Sequence, residues 1–490
     1  MMLNFARKLS RVPVVGKILR WGYHRIKWAK QIEGVPHLDD TLAYFDNASS
    51  VPSYPDRLVD IIVPIYNAYE FLERLVDGIF QHTDVGFHLF LIDDASTDAR
   101  IRVLLEQIQA EHQNVTVVHN QKNLGFVQTV NRGLSAASHD VVIINTDVEV
   151  PPHWLSRLMY PIFEMKKIAS ATPMSNSSTI TSFPTLMASN ELLEGLTLGE
   201  MDAEFRKLKC CESIYIETPT GHGFCMAMSK AALEKIGHFD ADAFGRGCGE
   251  ENDWCMRALQ NGFKNVIVPN LFCFHHHTAS FARAEKDQLV EQHLSIIRDR
   301  YPNYSAKVRK VIHNEFYKSL RSLILELLHC KAAQKTIVCF TNSLSGGSMF
   351  ANRDFLVKHK DAGFLLINIR TAFQRESYQL EFHSKGHVNI VNLDSIEQIE
   401  TVLDLFDVDE VVIHQMCGYI KLERLFDLLK TSKQRNGFIL KMDIRDFFVI
   451  CPTVQLLNHK QEFCHASVDE SVCTVCKKQL GCLHPSFSDI

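Results

Sequence analysis

The chain is 490 residues long, 46% hydrophobic and 22% charged, with a formal charge of −5. That length exceeds one ordinary core and predicts two or three domains. The slight acidity argues against a nucleic-acid binder, which would carry a basic excess, and no run of apolar residues reaches the span of a transmembrane helix.

Residues 1–57 form a basic N-terminal segment. Its first part carries Arg7, Lys8, Arg11, Lys17, Arg20, Arg25, Lys27 and Lys30 without an acid, and Trp21 and Trp28 fall among them. Two readings stand side by side. Residues 1–30 lie flat on an anionic membrane surface, or they form a helix packed on the following domain with its charges solvated. The segment lacks the apolar core of a signal peptide. A cytoplasmic protein is therefore expected, peripheral on the inner membrane face in the first reading, with its fourteen cysteines reduced.

From residue 58 the texture changes. LVDIIVPIYN, HLFLIDDAS, VTVVHN and DVVIINTD are short apolar runs closed by polar turns and read as buried strands. Between them, YEFLERLVDGIFQHT, DARIRVLLEQIQAEH and FVQTVNRGLSAA have the spacing of amphipathic helices. This alternation predicts an α/β domain over 58–300, with a mostly parallel sheet covered on both faces. Ligands of such sheets bind beyond the carboxyl ends of the strands. Asn67, Asp93, Asp94 and Asp147 are expected there. A helical connector follows over 301–334. At Lys335 a second α/β unit of Rossmann-like pattern begins with KTIVCF, NSLSGGS and MFANRDFLVKHKDAG, and FLLINI, DEVVIHQ and FILKMDI continue it to residue 490.

The order of the polar motifs in 58–300 resembles the family-2 inverting glycosyltransferases of the GT-A fold, in their rhamnosyltransferase-like branch. VDIIVPIYN is similar to that family's first strand and nucleotide loop, and LIDDASTD to its strand-end acidic motif. KNLGFVQTVNRGLSAA resembles the segment that lines the donor diphosphate. IINTDVEVPPHWL resembles the D-x-D region with Asn145 in place of the first acid, TGHGFCMAMSKAALEKIGHFD the acceptor side, and GCGEENDWCMRALQNGF the general-base motif. VPNLFCFHHHTASF resembles the closing segment, whose histidine completes a metal site.

The resemblance implies a nucleotide-sugar donor, a glycan or lipid-linked acceptor, and a divalent cation, Mn²⁺ or Mg²⁺. By register it assigns the base to Glu251, with Glu250 and Asp253 beside it. It places Asp147 and His275 on the metal, with His276 as second choice. Pro64, Asn67, Asp93, Asp94, Asn123, Gly125 and Asn131 fall on the donor pocket, which Asp147 also faces. The chemistry agrees with the residue types. A departing diphosphate gathers negative charge that a hard cation on oxygen ligands neutralises, and the attacking hydroxyl needs a carboxylate base. Each motif alone is common: an Asp pair after a strand caps helices, and acids at a helix start suit the dipole. The ordered set is what carries the reading.

Residues 335–490 resemble the N-terminal half of a GT-B glycosyltransferase. SLSGGSMFANRDFLVKHKDAG is similar to its glycine loop and first helix. IRDFFVICPTVQLLN resembles an acid-aromatic segment with Arg445 where a histidine is usual. A complete GT-B enzyme needs a second α/β domain for the donor, so either the sequence is truncated or this unit serves as a binding or docking module. Cys464, Cys473, Cys476 and Cys482 have the donors for a tetrahedral Zn²⁺ site. They also read as a loop of reduced thiols, and their spacing matches no zinc module closely. Two other functions stay open for the whole chain. A nucleotidyltransferase would want Gly and Lys after the first strand, where PIYNAYE has neither. A non-catalytic glycan-binding or assembly scaffold would leave Asp147 and Glu251 far apart.

Overall fold

The computed structural model describes residues 37–48, 51–276, 283–342, 355, 359, 363–371, 377–384, 386–416, 419–443 and 475. Residues 1–36, most of the glycine-loop segment, Arg445 and the four clustered cysteines lie outside these described residues. The chain divides into two compact units, Tyr44–Leu325 and a second made of Met1–Ala43 with Glu326–Ile490. Among the described residues no helix is long and apolar enough to cross a membrane.

The first unit begins with strand β1 (Leu58–Ile65), helix α1 (Tyr69–His82), β2 (Gly86–Asp93), α2 (Ala99–Glu111), β3 (Val115–His119), α3 (Phe126–Ala136) and β4 (Asp140–Ile144). These four strands are parallel neighbours in the order β3-β2-β1-β4, as the alternation predicted. β1 is buried along most of its length, as a strand covered on both faces must be. α1 turns Leu72, Leu75, Val76 and Ile79 inward. α3 approaches β1 so closely that a methyl on Gly133 would lie 2.5 Å from Ile62 Cγ2; only glycine fits.

The other half of the sheet is mixed. It contains β5 (Val148–Glu149), β6 (Ile168–Ser175), β7 (Ile216–Thr218), β8 (Cys225–Met228) and β9 (Lys264–His275). β8 runs antiparallel to both β4 and β6, while β9 runs parallel to β6 and antiparallel to β5 and β7. Helices α4 (Trp154–Glu164), α5 (Leu198–Arg206), α6 (Lys230–Ile236) and α7 (Glu250–Gln260) pack around these strands. An ion pair closes this half: Arg157 and Asp202, both 1% exposed, meet through two bonds of 3.0 and 2.7 Å. Arg157 also donates to the Asn270 carbonyl at 2.6 Å, and Asp202 accepts from Phe272 N–H at 3.0 Å. Every charge there is matched, which is what makes a buried pair tolerable.

Helices α8 (Arg283–Arg300), α9 (Tyr304–Ile312) and α10 (Glu315–Ala332) follow. The expected connector over 301–334 is not a separate element, because these helices are tied into the first unit up to Leu325. Tyr301 and Tyr304 share a core cluster with Trp254, and Tyr317 O–H donates to the Ile180 carbonyl at 2.8 Å. Arg321 donates to the carbonyls of Ser182 and Pro184 at 2.8 and 2.7 Å.

The second unit is a six-stranded sheet in the order β13-β12-β11-β10-β14-β15. Its strands are β10 (Lys335–Asn342), β11 (Phe364–Thr371), β12 (Tyr378–Ser384), β13 (His387–Leu393), β14 (Glu410–Ile413) and β15 (Ile439–Met442), with helices α11 (Ile396–Leu405) and α12 (Leu422–Asn436). β11, β10, β14 and β15 are parallel, the Rossmann-like part expected. β12 and β13 add an antiparallel hairpin that the strand pattern had not suggested.

Candidate active site

The polar residues gather at the carboxyl ends of the parallel strands. Asp93 closes β2. Its Oδ1 accepts from Ser96 N–H at 2.9 Å, and its Oδ2 lies 3.0 Å from His119 Nδ1. Asp94, 4% exposed, accepts from Asn120 Nδ2 at 2.7 Å, Leu124 N–H at 2.8 Å and Gly125 N–H at 2.9 Å. It therefore shapes the 120–125 loop, on which Asn123 is exposed. Gly125 ends that loop at φ +82°, where a side chain would be strained.

Pro64 lies within β1, opposite Ile92. Asn67, itself left-handed at φ +57°, accepts at Oδ1 from the backbone N–H groups of Thr97 and Asp98 at 2.9 and 3.0 Å. It clamps the neighbouring loop, which its place after β1 did not reveal. Asn131 gives both its polar atoms to one residue, donating to Phe239 O at 2.8 Å and accepting from Phe239 N–H at 3.1 Å. Asn131→Ala should cost about 1–3 kcal/mol by leaving both groups unpaired, read as a lower urea midpoint at unchanged slope.

β5 and β9 pair Val148 with His275, and that register brings Asp147 and His275 together. His275 Nε2 stands 3.3 Å from Asp147 Oδ1. Both residues are nearly buried, and Asn176 Oδ1 accepts from His275 N–H at 2.7 Å. One residue ahead of Thr146, Asn145 buries a side-chain oxygen with no hydrogen-bond partner. The Asp147 carboxylate and the His275 imidazole offer an oxygen and a nitrogen donor of the kind that suits Mn²⁺. His276 points elsewhere: its Nε2 lies 2.6 Å from Glu149 Oε1 and 3.3 Å from Arg74. Of the two histidines only His275 faces Asp147.

The third group opens α7. Gly249 caps the helix at φ +120° and donates its N–H to Glu251 Oε2 at 3.1 Å. Burial first, and then the Glu251 charge beside it, push Glu250 well above the ordinary carboxylate range. Glu250 Oε2 is buried without a partner, so this acid keeps its proton. Burial also raises Glu251, but the backbone N–H groups at the helix start, Glu250 and His293 oppose it. Glu251 is thus the member of the pair that ionises first. Asp253 has a different task from the one expected. Its Oδ2 accepts from Arg257 at 2.8 Å, and its Oδ1 from Arg300 at 2.8 Å and Tyr301 O–H at 2.9 Å. Two guanidinium groups and a phenol bond this carboxylate, so it anchors α8 to α7.

The loop 220–224 lies between these groups. A methyl on Gly223 would lie 3.9 Å from Glu250 Oε1. The next residue, Phe224, stacks its ring on His275 with centroids 5.2 Å apart, and its carbonyl accepts from Asn145 N–H at 2.9 Å. His275 and Glu250 therefore border one short loop. His222, Phe224 and Asn176 complete the site and were not singled out in the sequence. The one signal was a histidine flanked by Gly221 and Gly223. Burial, then the charge of His275, lower His222 to about 4, which keeps this imidazole neutral at pH 7.

A nine-stranded α/β sheet with acids at the ends of its parallel strands, followed by a second α/β unit, is the architecture of a GT-A domain joined to a further domain. Residues 60–237 match the family model described as Glycosyl transferase family 2. The match lies within the first unit and takes in Asp93, Asp94 and Asp147. Among solved structures it is similar to the mannosyltransferase PcManGT from Pyrobaculum calidifontis in complex with GDP-Man and Mn2+. Identity is 18% and the TM-score 0.39, over 74% of this chain and 93% of that one. It is also similar to GalNAc-T7 with UDP, GalNAc and Mn2+, at 15% identity and TM-score 0.38 over 61% and 63% of the two chains. S. aureus TarS 1-349 matches at 15% identity and TM-score 0.32, over 56% of this chain and 85% of that one.

Proposed function

We propose that the first unit moves a sugar from a nucleoside-diphosphate sugar to a hydroxyl of a glycan or lipid-linked acceptor, with inversion at the anomeric carbon. The observation that carries this reading is that His275, which meets Asp147, and Glu250, which neighbours Glu251, both border the loop 220–224. Glu251 takes the acceptor's proton as the hydroxyl attacks, and Glu250, held neutral by burial, adds no competing charge. Asp147 and His275 hold Mn²⁺ or Mg²⁺. When bound, the cation supplies charge neutralisation on the leaving diphosphate. Asp93, Asp94 and Asn67 fix the loops that frame the nucleoside, and Pro64, Asn123 and Gly125 lie on the donor side.

The setting in this reading is surface-polysaccharide synthesis in the cytoplasm. Residues 1–30 rest on the inner membrane face, and the second unit serves as a binding or docking module. The test is a panel of nucleotide sugars offered with Mn²⁺ in a calorimeter, followed by NMR of the product anomer. Binding of one sugar nucleotide and an inverted product are expected; retention would overturn the single displacement, and silence across the panel the whole reading. Glu250→Gln provides a further check. Gln keeps an N–H donor toward Glu251, so kcat should fall by less than about tenfold, well below the usual loss of a general base.

A further inference from the structure

We propose that the second unit carries a metal site of its own, formed by Glu326, His329 and His387 and suited to a zinc-class divalent ion. One nitrogen or oxygen from each of these three side chains lies within 4.8 Å of the others, the one such group among the described residues. Glu326 and His329 are three apart near the end of α10, so they share one helix face. His387 opens β13 just after Gly386, which turns the β12–β13 hairpin at φ +74°. A helix end and a hairpin turn thus present their ligands to one point.

The donor geometry is close to what an ion needs. His387 Nε2 lies 2.9 Å from Glu326 Oε1, and His329 Nδ1 lies 3.4 Å from Glu326 Oε2. Donors bonded at about 2.0–2.1 Å in a tetrahedron stand roughly 3.3 Å apart. Asn389 Nδ2 donates to Glu326 Oε1 at 2.9 Å, the type of outer contact that orients a ligating carboxylate. Glu326 is fully buried, and an isolated carboxylate there would be costly. The side chains of His329 and His387 keep 15% and 33% exposure. That opening admits an ion and leaves its fourth position to water. Two imidazoles and a carboxylate are borderline donors that favour zinc over magnesium or calcium. The site is separate from Asp147 and His275 and does not depend on the proposed transfer reaction.

The experiment uses the full chain carrying Asp147→Asn, which removes the other proposed metal ligand, titrated with Co²⁺ or Zn²⁺ alone. One Co²⁺ per chain is expected, with visible ligand-field bands, displacement by Zn²⁺, and a rise in melting temperature that EDTA reverses. His387→Asn and His329→Asn, both partly exposed changes that spare the fold, should each weaken Co²⁺ binding at least tenfold. Intense near-ultraviolet bands that vanish in Cys473→Ser but survive His387→Asn would assign the ion to thiolates and overturn the proposal. Absence of binding, or binding indifferent to both histidine variants, would overturn it as well and leave the cluster a plain ion-pair network.

Discussion

Glu251→Gln is expected to lower kcat by about 10²–10⁴-fold, the usual contribution of a positioned general base, with donor affinity left near the wild-type value. The argument rests on the division of labour within the pair. Both carboxyls are raised by burial, but Glu250 has a partnerless oxygen and the stronger upward push. Glu251 receives the Gly249 N–H at 3.1 Å, a contact that favours its charged form. In the wild type the acid limb of kcat/KM should therefore lie above the ordinary glutamate range, with activity rising as Glu251 loses its proton.

The same shifts carry a stability consequence of fixed sign. A carboxyl whose folded pKa exceeds its unfolded value contributes stability that is full below the unfolded pKa and lost as pH rises through the folded one. The pair thus favours the fold in acid and strains it near neutrality. A Glu251→Gln enzyme with wild-type kcat and an unmoved acid limb would place the base elsewhere.

How much of this was legible in the sequence depends on where each restraint comes from. β1 to β4 and the helices between them were readable because their periodicity is local: runs such as LVDIIVPI are buried along most of their length, and α1 shows one clean stripe. β6 was not, since IASATPMS is mostly small and polar residues, and its full burial comes from β8 and β9, distant in the chain. The β12–β13 hairpin hid for a related reason: YQLEFHS and HVNIVNL place Gln379, Glu381 and Asn392 in buried positions, blurring the alternation.

The site follows the same division. Acids at strand ends and at the start of α7 could be located from order alone, but their partners could not. Asp253 reads in sequence as a neighbour of the base, while the group that bonds its carboxylate, Arg300, lies 47 residues further on. Asp94 looked like a ligand-facing acid, and its three contacts come from residues 120–125. A side chain's lone pairs are allocated by the tertiary fold, and sequence order carries no record of that allocation.

Asp147→Asn is the other change with a large expected effect. It should cost about 10³-fold in kcat/KM, the several kcal/mol that a Lewis-acid cation contributes to a developing anion. Metal affinity should fall by at least about 100-fold, the upper range for a merely supporting residue. Charge is the reason: asparagine keeps the shape and one oxygen, and the site loses its formal negative charge beside His275. Calorimetry of the nucleotide sugar with and without Mn²⁺ separates this from unfolding, because metal-independent binding should survive in the variant. His275→Asn should weaken the metal dependence less, since the carboxylate remains. His276→Asn should leave it intact, because that imidazole is engaged with Glu149 at 2.6 Å. Full Mn²⁺-dependent binding in Asp147→Asn, or its loss in His276→Asn, would move the cation away from the β5–β9 junction and remove Asp147 from the reaction.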